Sequence, residues 1–281
     1  MDICQRASSP QSFALRRRSS IYKPILEGGD IFKSSLREFI RVQSERKFEI
    51  SDAPITWERL SRGYRITDFQ IDRTEEALEL FKKYYFCTKN ACLAETLDID
   101  IETIRKYQEY ILDILSDWNS FCAIEEGSGR VVGVIIADCV IVQDESYEDV
   151  PYLLRLEKDL LDDADIFECY KGIDKFYCIH AICVEPDNYE KGIGTALVRA
   201  CVLRAQKTGC QLCIGIFPDG AGQTIAQRFG FQVLTEQKVT NVPVTSVSNE
   251  KDSYYIDPDT LESRFVSCMC LHIPSEGCYD M

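Results

Sequence analysis

The sequence predicts an α/β fold of the α+β kind, in which strands and amphipathic helices form one large domain. Segments with alternating or continuous apolar residues, typical of strands, are interspersed with segments of helical spacing. One apolar strand, residues 176–184, leads through a short polar loop into a glycine turn that opens a helix. With 281 residues, 45% of them hydrophobic, the chain can bury a sizeable core.

Local patterns indicate the elements of the first half. Tyr64 begins an alternating strand, and Thr74 is suited to cap the helix that follows. Strands at 121–124 and 131–142 flank a predicted hairpin turn at 125–130. The apolar faces expected for two helices comprise Ala77, Leu78, Phe81 and Tyr85 in the first, and Ile104, Tyr107, Ile111, Ile114 and Trp118 in the second.

The second half continues the alternation around the central strand. A helix starts near Pro151, because proline suits the first helical position. After the central strand, residues 212–217 predict another strand, and a short helix ends near Phe231. A further strand leads into the polar stretch 240–263, and residues 264–273 close the sheet with alternating residues.

The glycine turn after the central strand predicts an anion site. A strand–turn–helix directs backbone N–H groups, with the positive end of a helix dipole behind them, at one small volume that suits a phosphate. Gly192 and Gly194 allow close approach of the main chain, and Lys191 adds a cation. A dinucleotide fingerprint is excluded because its third glycine would fall at Leu197, and no P-loop Gly-Lys-Ser/Thr follows.

The order of strand, polar loop, x-x-x-Gly-x-Gly and helix resembles the acetyl-CoA-binding core of the GNAT N-acetyltransferases. The helix ending in residues 225–231 is similar to that family's closing helix and Gly-Phe exit, and the resemblance covers about residues 64–273. It implies a mixed, mostly antiparallel seven-stranded sheet flanked by helices, with acetyl-CoA as cosubstrate and no metal. The cofactor-binding residues implied are Ile182, Cys183, Val184, Glu190, Lys191, Gly192, Ile193, Gly194 and Thr195.

Within the family, the chain looks most like the arylalkylamine (dopamine or serotonin) N-acetyltransferases. Residues 165–170 are similar to insect members, and residues 179–184 are similar to the vertebrate His-x-His strand. The resemblance implies direct acetyl transfer to a small primary amine. A backbone N–H near Val184 would polarise the thioester carbonyl, and the loop 240–263 would border the acceptor site.

His180 is the expected catalytic base. An alkylammonium has a pKa of about 10, so a general base is needed to make the amine neutral. We expect His180 to share a face of the strand with Ile182 and Val184, at the position similar to the second histidine of vertebrate-type enzymes, with Cys178 at the first. The competing interpretation is a histidine packed in the sheet, and only His272 is otherwise present.

Several groups of the family pattern are replaced in this chain. Asn90 stands where insect members have a glutamate, with Glu95 as a displaced alternative. Residues 218–222 contain no serine, Ala226 replaces a tyrosine acid, and Tyr189 replaces the usual Gln or Arg of the turn. Two alternatives therefore stay open: a peptide or protein N-acetyltransferase, and a CoA-binding pseudoenzyme with a regulatory tail.

Composition restricts the partners and the compartment. The formal charge of −14 argues against nucleic acid and suits a cationic acceptor. We expect no membrane span and a cytoplasmic protein, since no signal-like start or long apolar run is found. The fourteen cysteines read as reduced thiols in apolar strands, and Cys210-x-x-Cys213 lacks the second pair that a zinc site requires.

Two domains of unequal character are predicted. Residues 1–60 are expected to be a flexible, basic and Ser-rich extension, and residues 61–281 the N-acetyltransferase domain. Three arginines precede Ser19, a pattern that a basophilic kinase recognises and that would give a phosphoserine-dependent partner its site. A solvated charge run and a transit peptide are the alternatives.

Overall fold

A computed structural model of the chain describes residues 15–16, 54–85, 101–115, 119–142, 152–218, 220–239 and 264–274. Its strands are β1 (Leu15–Arg16), β2 (Thr56–Leu60), β3 (Tyr64–Asp68), β4 (Phe121–Glu125), β5 (Val131–Val142), β6 (Lys175–Val184), β7 (Leu212–Phe217), β8 (Gln232–Val239) and β9 (Arg264–His272). Its helices are α1 (Thr74–Leu80), α2 (Ile101–Leu115), α3 (Tyr152–Ala164), α4 (Ile166–Cys169), α5 (Ile193–Lys207) and α6 (Gly220–Arg228). A π-helical turn, Phe81–Tyr85, extends α1.

Eight strands form one open sheet in the order β2-β3-β4-β5-β6-β7-β9-β8, and β1 pairs with β5 outside this path. The pair β6–β7 is parallel, and the other described pairs are antiparallel. The mixed, mostly antiparallel sheet flanked by helices confirms the predicted fold class. The predicted number of seven strands was wrong, because β2 adds an eighth to the path.

Strand β2 lies in the part of the chain that the sequence analysis assigns to the N-terminal extension. It lies within residues 1–60, yet it pairs with β3 through a turn in which the Gly63 N–H donates to the Leu60 carbonyl over 3.1 Å. Trp57 Nε1 donates to Asp68 Oδ1 over 2.7 Å, and the Arg204 guanidinium pairs with the same carboxylate. Strand β2 is therefore part of the sheet, whereas Ser19 lies outside the described residues.

The core is divided by the sheet. On one face, α5 and α6 pack against apolar side chains that include Tyr177, Ile179 and Phe217. On the other face, α1 and α2 pack near β4 and β5, and α3 and α4 pack near β7 and β9. Among the described residues, none of the helices combines the length and apolar character needed to cross a membrane.

Candidate active site

The parallel strands β6 and β7 separate in the middle of the sheet. They pair only from Tyr177 opposite Cys213 to Ile179 opposite Gly215. Beyond that point β6 continues to Val184 along β5, while β7 continues to Phe217 along β9. The result is an opening between two neighbouring strands, directly before the glycine turn, with backbone groups of β6 along one side.

Val184 offers a backbone donor at this opening. Glu185 donates its N–H to the Val132 carbonyl over 2.8 Å, so its N–H points toward β5. Successive N–H groups of a strand point to opposite edges. The Val184 N–H therefore points toward the edge from which β7 has separated, which agrees with its expected role as a donor to an acyl carbonyl.

The glycine turn has the backbone that an anion site requires. Gly192 is the N-cap of α5 with φ +83°, and Glu190 also has a positive φ of 60°. The Ala196 N–H is the first to bond within the helix, to the Gly192 carbonyl over 3.0 Å. The first turn of α5 contains no acidic residue, so nothing there opposes an anion at the helix N-terminus.

The space around the two glycines of the turn shows whether acetyl-CoA fits there. A Cβ added to exposed Gly192 would meet no atom within 4 Å, so the space beside the N–H groups is open to a ligand. A Cβ at Gly194 would lie 3.1 Å from Ile225 Cδ1 and 3.8 Å from Ile182 Cδ1, so this glycine lets α5 approach α6 and β6. The residues present therefore fit the pyrophosphate of acetyl-CoA at the turn.

Lys191 does not extend freely beside the turn. Its Nζ donates to Asn188 Oδ1 over 2.8 Å and to the Tyr64 hydroxyl over 3.0 Å. The Tyr64 hydroxyl in turn donates to Asn188 Oδ1 over 2.9 Å. This triangle fastens the turn to β3 and keeps the ammonium charge near the helix N-terminus.

His180 occupies a β-bulge on β6. Ile136 of β5 pairs with Ala181 and Ala137 pairs with Ile179, so His180 is the extra residue between them. The bulge shifts the alternation of side chains, and His180 lies on the face of α2 and α3, whereas Ile182 packs on the face of α5. The prediction that the two share a face was wrong, because a bulge breaks the period of two.

The His180 imidazole is buried, with 5% exposure, in a network that sequence reasoning missed. Its Nε2 lies 2.8 Å from Asp138 Oδ1 on β5. Its Nδ1 forms a hydrogen bond with Glu157 Oε1 on α3 and lies 3.1 Å from the Tyr110 hydroxyl on α2. Tyr110 also donates to Glu157 Oε1 over 3.0 Å and is the partly exposed member of the network.

This environment changes the protonation of His180. Burial alone would lower the pKa, but the negative potential of Cys178, Tyr110, Glu157 and Asp138 outweighs it and raises the pKa of His180 well above 6.5. We attribute the direction mainly to the two carboxylates, since burial raises the pKa of the Cys178 thiol and keeps it neutral. This direction favours the imidazolium over the neutral imidazole.

A row of aromatic rings connects the network to α1. The ring centroids of Tyr110 and His180 are 5.8 Å apart, those of Tyr107 and Tyr110 are 5.8 Å apart, and those of Tyr85 and Tyr107 are 6.2 Å apart. Burial raises the pKa of Tyr107 well above 10, so this phenol is neutral. Tyr84 and Tyr85 are partly exposed at the far end of the row.

The sequence did hold a signal for the missed carboxylates. Asp138 interrupts the apolar run of β5, and an ionisable residue within a buried strand requires a partner. Glu157 lies three positions before Leu160 and four before Leu161, on the apolar stripe of α3. Both positions place a carboxylate in the core, and only the folded chain shows that they meet at His180.

The structure describes only some of the positions at which this chain lacks a group of the family pattern. Ala226 is fully buried against the α5 face of the sheet and supplies no acid. Of the segment 218–222, residues 220–222 form the first turn of α6. Asn90, Glu95 and the loop 240–263 lie outside the described residues. Tyr189 is 48% exposed beside the turn.

A mixed sheet with two separating parallel strands and a glycine turn that opens a helix defines an acyl-CoA-binding acyltransferase. The Acetyltransferase (GNAT) family model matches residues 75–231, and the chain belongs to this family. It is an acetyl-CoA-dependent N-acetyltransferase. No curated protein sequence matches the chain significantly.

Two insect proteins are among the solved structures with the same fold. A putative arylalkylamine N-acetyltransferase 7 from the yellow fever mosquito Aedes aegypti is 21% identical with a TM-score of 0.61, covering 79% of this chain and 96% of that one. A Drosophila melanogaster polyamine N-acetyltransferase, which forms N-acetylagmatine, is 15% identical with a TM-score of 0.57, covering 75% and 100%. At these identities the likeness establishes the fold.

Proposed function

We propose that this N-acetyltransferase acetylates a small primary amine, and that His180 accepts the amine proton. When bound, acetyl-CoA supplies an acetyl group activated as a thioester, and the acceptor amine must be neutral to react with it. The single observation that carries the proposal is the position of His180. It directly follows Ile179, the last β6 residue paired with β7, and therefore lies where the two strands begin to separate.

The charge near His180 favours a cationic acceptor. Two carboxylates, Glu157 and Asp138, flank one imidazolium, so the network carries net negative charge within a buried site. The tyrosine row offers aromatic faces that attract an alkylammonium or stack on an aryl group. Arylalkylamines match both features, and a polyamine or agmatine would match the charge.

The network orients His180 for proton transfer. Asp138 accepts a hydrogen bond from Nε2–H, which leaves Nδ1 as the basic nitrogen once the imidazolium has lost its proton. The Tyr110 hydroxyl lies 3.1 Å from Nδ1 and is partly exposed, so it can pass the proton from the acceptor to buried His180. In this proposal the Val184 N–H donates to the acyl carbonyl, and the residues 190–195 hold the pyrophosphate.

A CoA-release assay over a panel of acceptors tests the proposal. The panel contains dopamine, serotonin, agmatine, a polyamine, and peptides with a free N-terminus or a lysine. His180→Ala should lower turnover of the preferred amine on the order of a hundredfold. The matched control is His272→Ala, which removes the exposed histidine of β9 and should leave the rate unchanged.

Three kinds of outcome contradict the proposal. Preference for the peptides would assign the chain to peptide or protein acetylation. Stabilisation by acetyl-CoA without CoA release from any acceptor would assign it to the pseudoenzymes. If His180→Ala abolishes acetyl-CoA binding, or hardly changes the rate, the residue is structural.

A further inference from the structure

The structure brings together two cysteines that are distant in the sequence. Cys139 of β5 and Cys210, two residues before β7, have their Sγ atoms 3.6 Å apart. Cys139 is partly exposed, and Cys210 is buried with 2% exposure. The Cys210-x-x-Cys213 motif is thus not the relevant pair, because the described partner of Cys210 is Cys139.

The surroundings of Cys210 favour a thiolate. Thr208 Oγ1 lies 3.4 Å from its Sγ, and Lys175, which donates to the Thr208 carbonyl over 2.7 Å, supplies positive charge. The hydrogen bond with Cys139 lowers the pKa of Cys210 most, and the hydrogen bond with Thr208 and the charge of Lys175 lower it further. Burial acts in the opposite direction, and the resulting pKa is about 6. The same pairing raises the pKa of Cys139.

Other cysteines of the described part of the chain provide a contrast. Burial raises the pKa of the thiols in the core strands, among them Cys178, Cys213 and Cys268. Cys169 is exposed on α4. Reactivity of a cysteine follows its thiolate fraction, and a second thiol in contact can resolve the first oxidation product.

We propose that Cys139 and Cys210 form a redox modification site that a peroxide converts reversibly into a disulfide. The Cys210 thiolate attacks one peroxide oxygen, the O–O bond breaks, and a sulfenic acid and hydroxide result. The Cys139 sulfur then attacks the Cys210 sulfur, the S–O bond breaks, and the Cys139 proton leaves with that oxygen as water. The hydroxide takes up the proton that Cys210 released on ionisation, so two thiols and one peroxide give one disulfide and two waters.

The cross-link would close a loop of the chain that contains the glycine turn and the two elements on either side of it. Residues 139 and 210 flank β6, the glycine turn and α5. Closing a loop of this length restricts the unfolded chain, and we expect the oxidised protein to melt on the order of 10 °C higher than the reduced protein. A thiol reductant should reverse this shift.

The test treats the full-length reduced chain with hydrogen peroxide and maps cross-linked peptides by mass spectrometry under non-reducing conditions. The expected product joins the peptides of Cys139 and Cys210, and it should be absent from Cys139→Ser and Cys210→Ser. In Cys139→Ser, a dimedone adduct should accumulate on Cys210. Cys169→Ser is the matched control and should still form the cross-link.

Three results would overturn the inference. They are a bond between Cys210 and Cys213, dimedone labelling that favours Cys169 over Cys210 in Cys139→Ser, and cross-linking of Cys139 that survives Cys210→Ser. None of these readouts requires turnover or acetyl-CoA binding. The inference can therefore fail while the proposed acetyltransferase function stands, and the reverse also holds.

Discussion

Glu157 of α3 and His180 of β6 are joined by a hydrogen bond between Oε1 and Nδ1 on the face of the sheet opposite α5. Their side chains are only 9% and 3% exposed. A carboxylate oxygen and an imidazole nitrogen can be bonded only through a proton, so the pair holds one proton in common. In the mechanism we propose, the base is therefore this pair after it has lost that proton.

Glu157→Gln should move the pH dependence of turnover to lower pH. The rate should rise with pH as the imidazolium loses its proton, and the carboxylate of Glu157 holds the pKa of His180 well above 6.5. Without that charge the pKa falls, so the midpoint of the kcat profile moves toward neutral pH. Kinetics from pH 6 to pH 10 measure the shift.

Asp163→Asn is the matched control for that profile. It removes an exposed carboxylate from the same helix and should leave the midpoint in place. A Glu157→Gln midpoint equal to that of the wild type would show that another group titrates in the rate. A midpoint at higher pH would contradict the sign of the electrostatic argument.

The same network should make stability depend on pH. The folded-state pKa of His180 is raised above the ordinary value of 6.5, so its stabilisation is fully present below about pH 6.5 and is lost as pH rises through the folded-state pKa. The difference in free energy of unfolding between wild type and His180→Gln should therefore shrink as pH rises from 6.5. Urea unfolding at several pH values measures it, and a constant or growing difference would refute the assignment.

Much of the fold follows from local patterns, because strand alternation and helical spacing depend on neighbouring residues. The glycine turn is the clearest case: the positive φ of Gly192 and the helix start at Ile193 agree with the sequence prediction. Strand β2 was missed because three of its five residues, Thr56–Leu60, are polar and because distant partners such as Asp68 and Arg204 stabilise it.

The face of the sheet on which the His180 side chain lies could not be predicted from the alternation of residues alone. A bulge is one extra residue on one strand, and its position depends on pairing between β5 and β6 rather than on the β6 sequence. Asp138 and Glu157 are distant from His180 in the sequence, so only the tertiary structure brings the three side chains into contact. The glycine turn is local and could be predicted, whereas the hydrogen-bond network around His180 joins residues that are distant in the sequence.

Gly192→Leu should abolish stabilisation by acetyl-CoA while the apo protein stays folded. The side chain would fill the open space beside the N–H groups, and the φ of +83° adds a strain of about 1–2 kcal/mol. Acetyl-CoA at a hundredfold excess over its Kd should raise the wild-type Tm by on the order of 5–10 °C. Differential scanning fluorimetry of the variant should show no such shift.

Gly172→Leu separates backbone strain from loss of the site. Gly172 is also exposed, has φ +92°, and its added Cβ would meet no atom within 4 Å. Its variant should lose similar stability but keep the full response to acetyl-CoA. If Gly192→Leu still responds to acetyl-CoA like the control, the pyrophosphate binds elsewhere. A substitution at Gly194 would be a less specific test, because its Cβ would lie 3.1 Å from Ile225 Cδ1 and would also disturb the packing of α5 against α6.

Two truncations test where the folded domain begins. Both remove β1, so their comparison isolates β2: a chain of residues 54–281 keeps this strand, and a chain of residues 62–281 lacks it. The shorter chain loses Trp57, whose ring packs edge-on against Phe121 with centroids 5.4 Å apart and lies 5.0 Å from the Arg204 guanidinium. Loss of this packing should cost about 3 kcal/mol.

The expected result is a Tm lower by about 10 °C in the 62–281 chain than in the 54–281 chain, because each kcal/mol shifts the Tm of a domain of this size by about 2–4 °C. Trp57→Ala in the 54–281 chain should reproduce much of the loss, since it deletes the contacts with Phe121 and Arg204 while β2 remains. Equal melting of the two truncations would place β2 outside the cooperative unit. Unfolding of the 54–281 chain would instead show that residues before 54 are required.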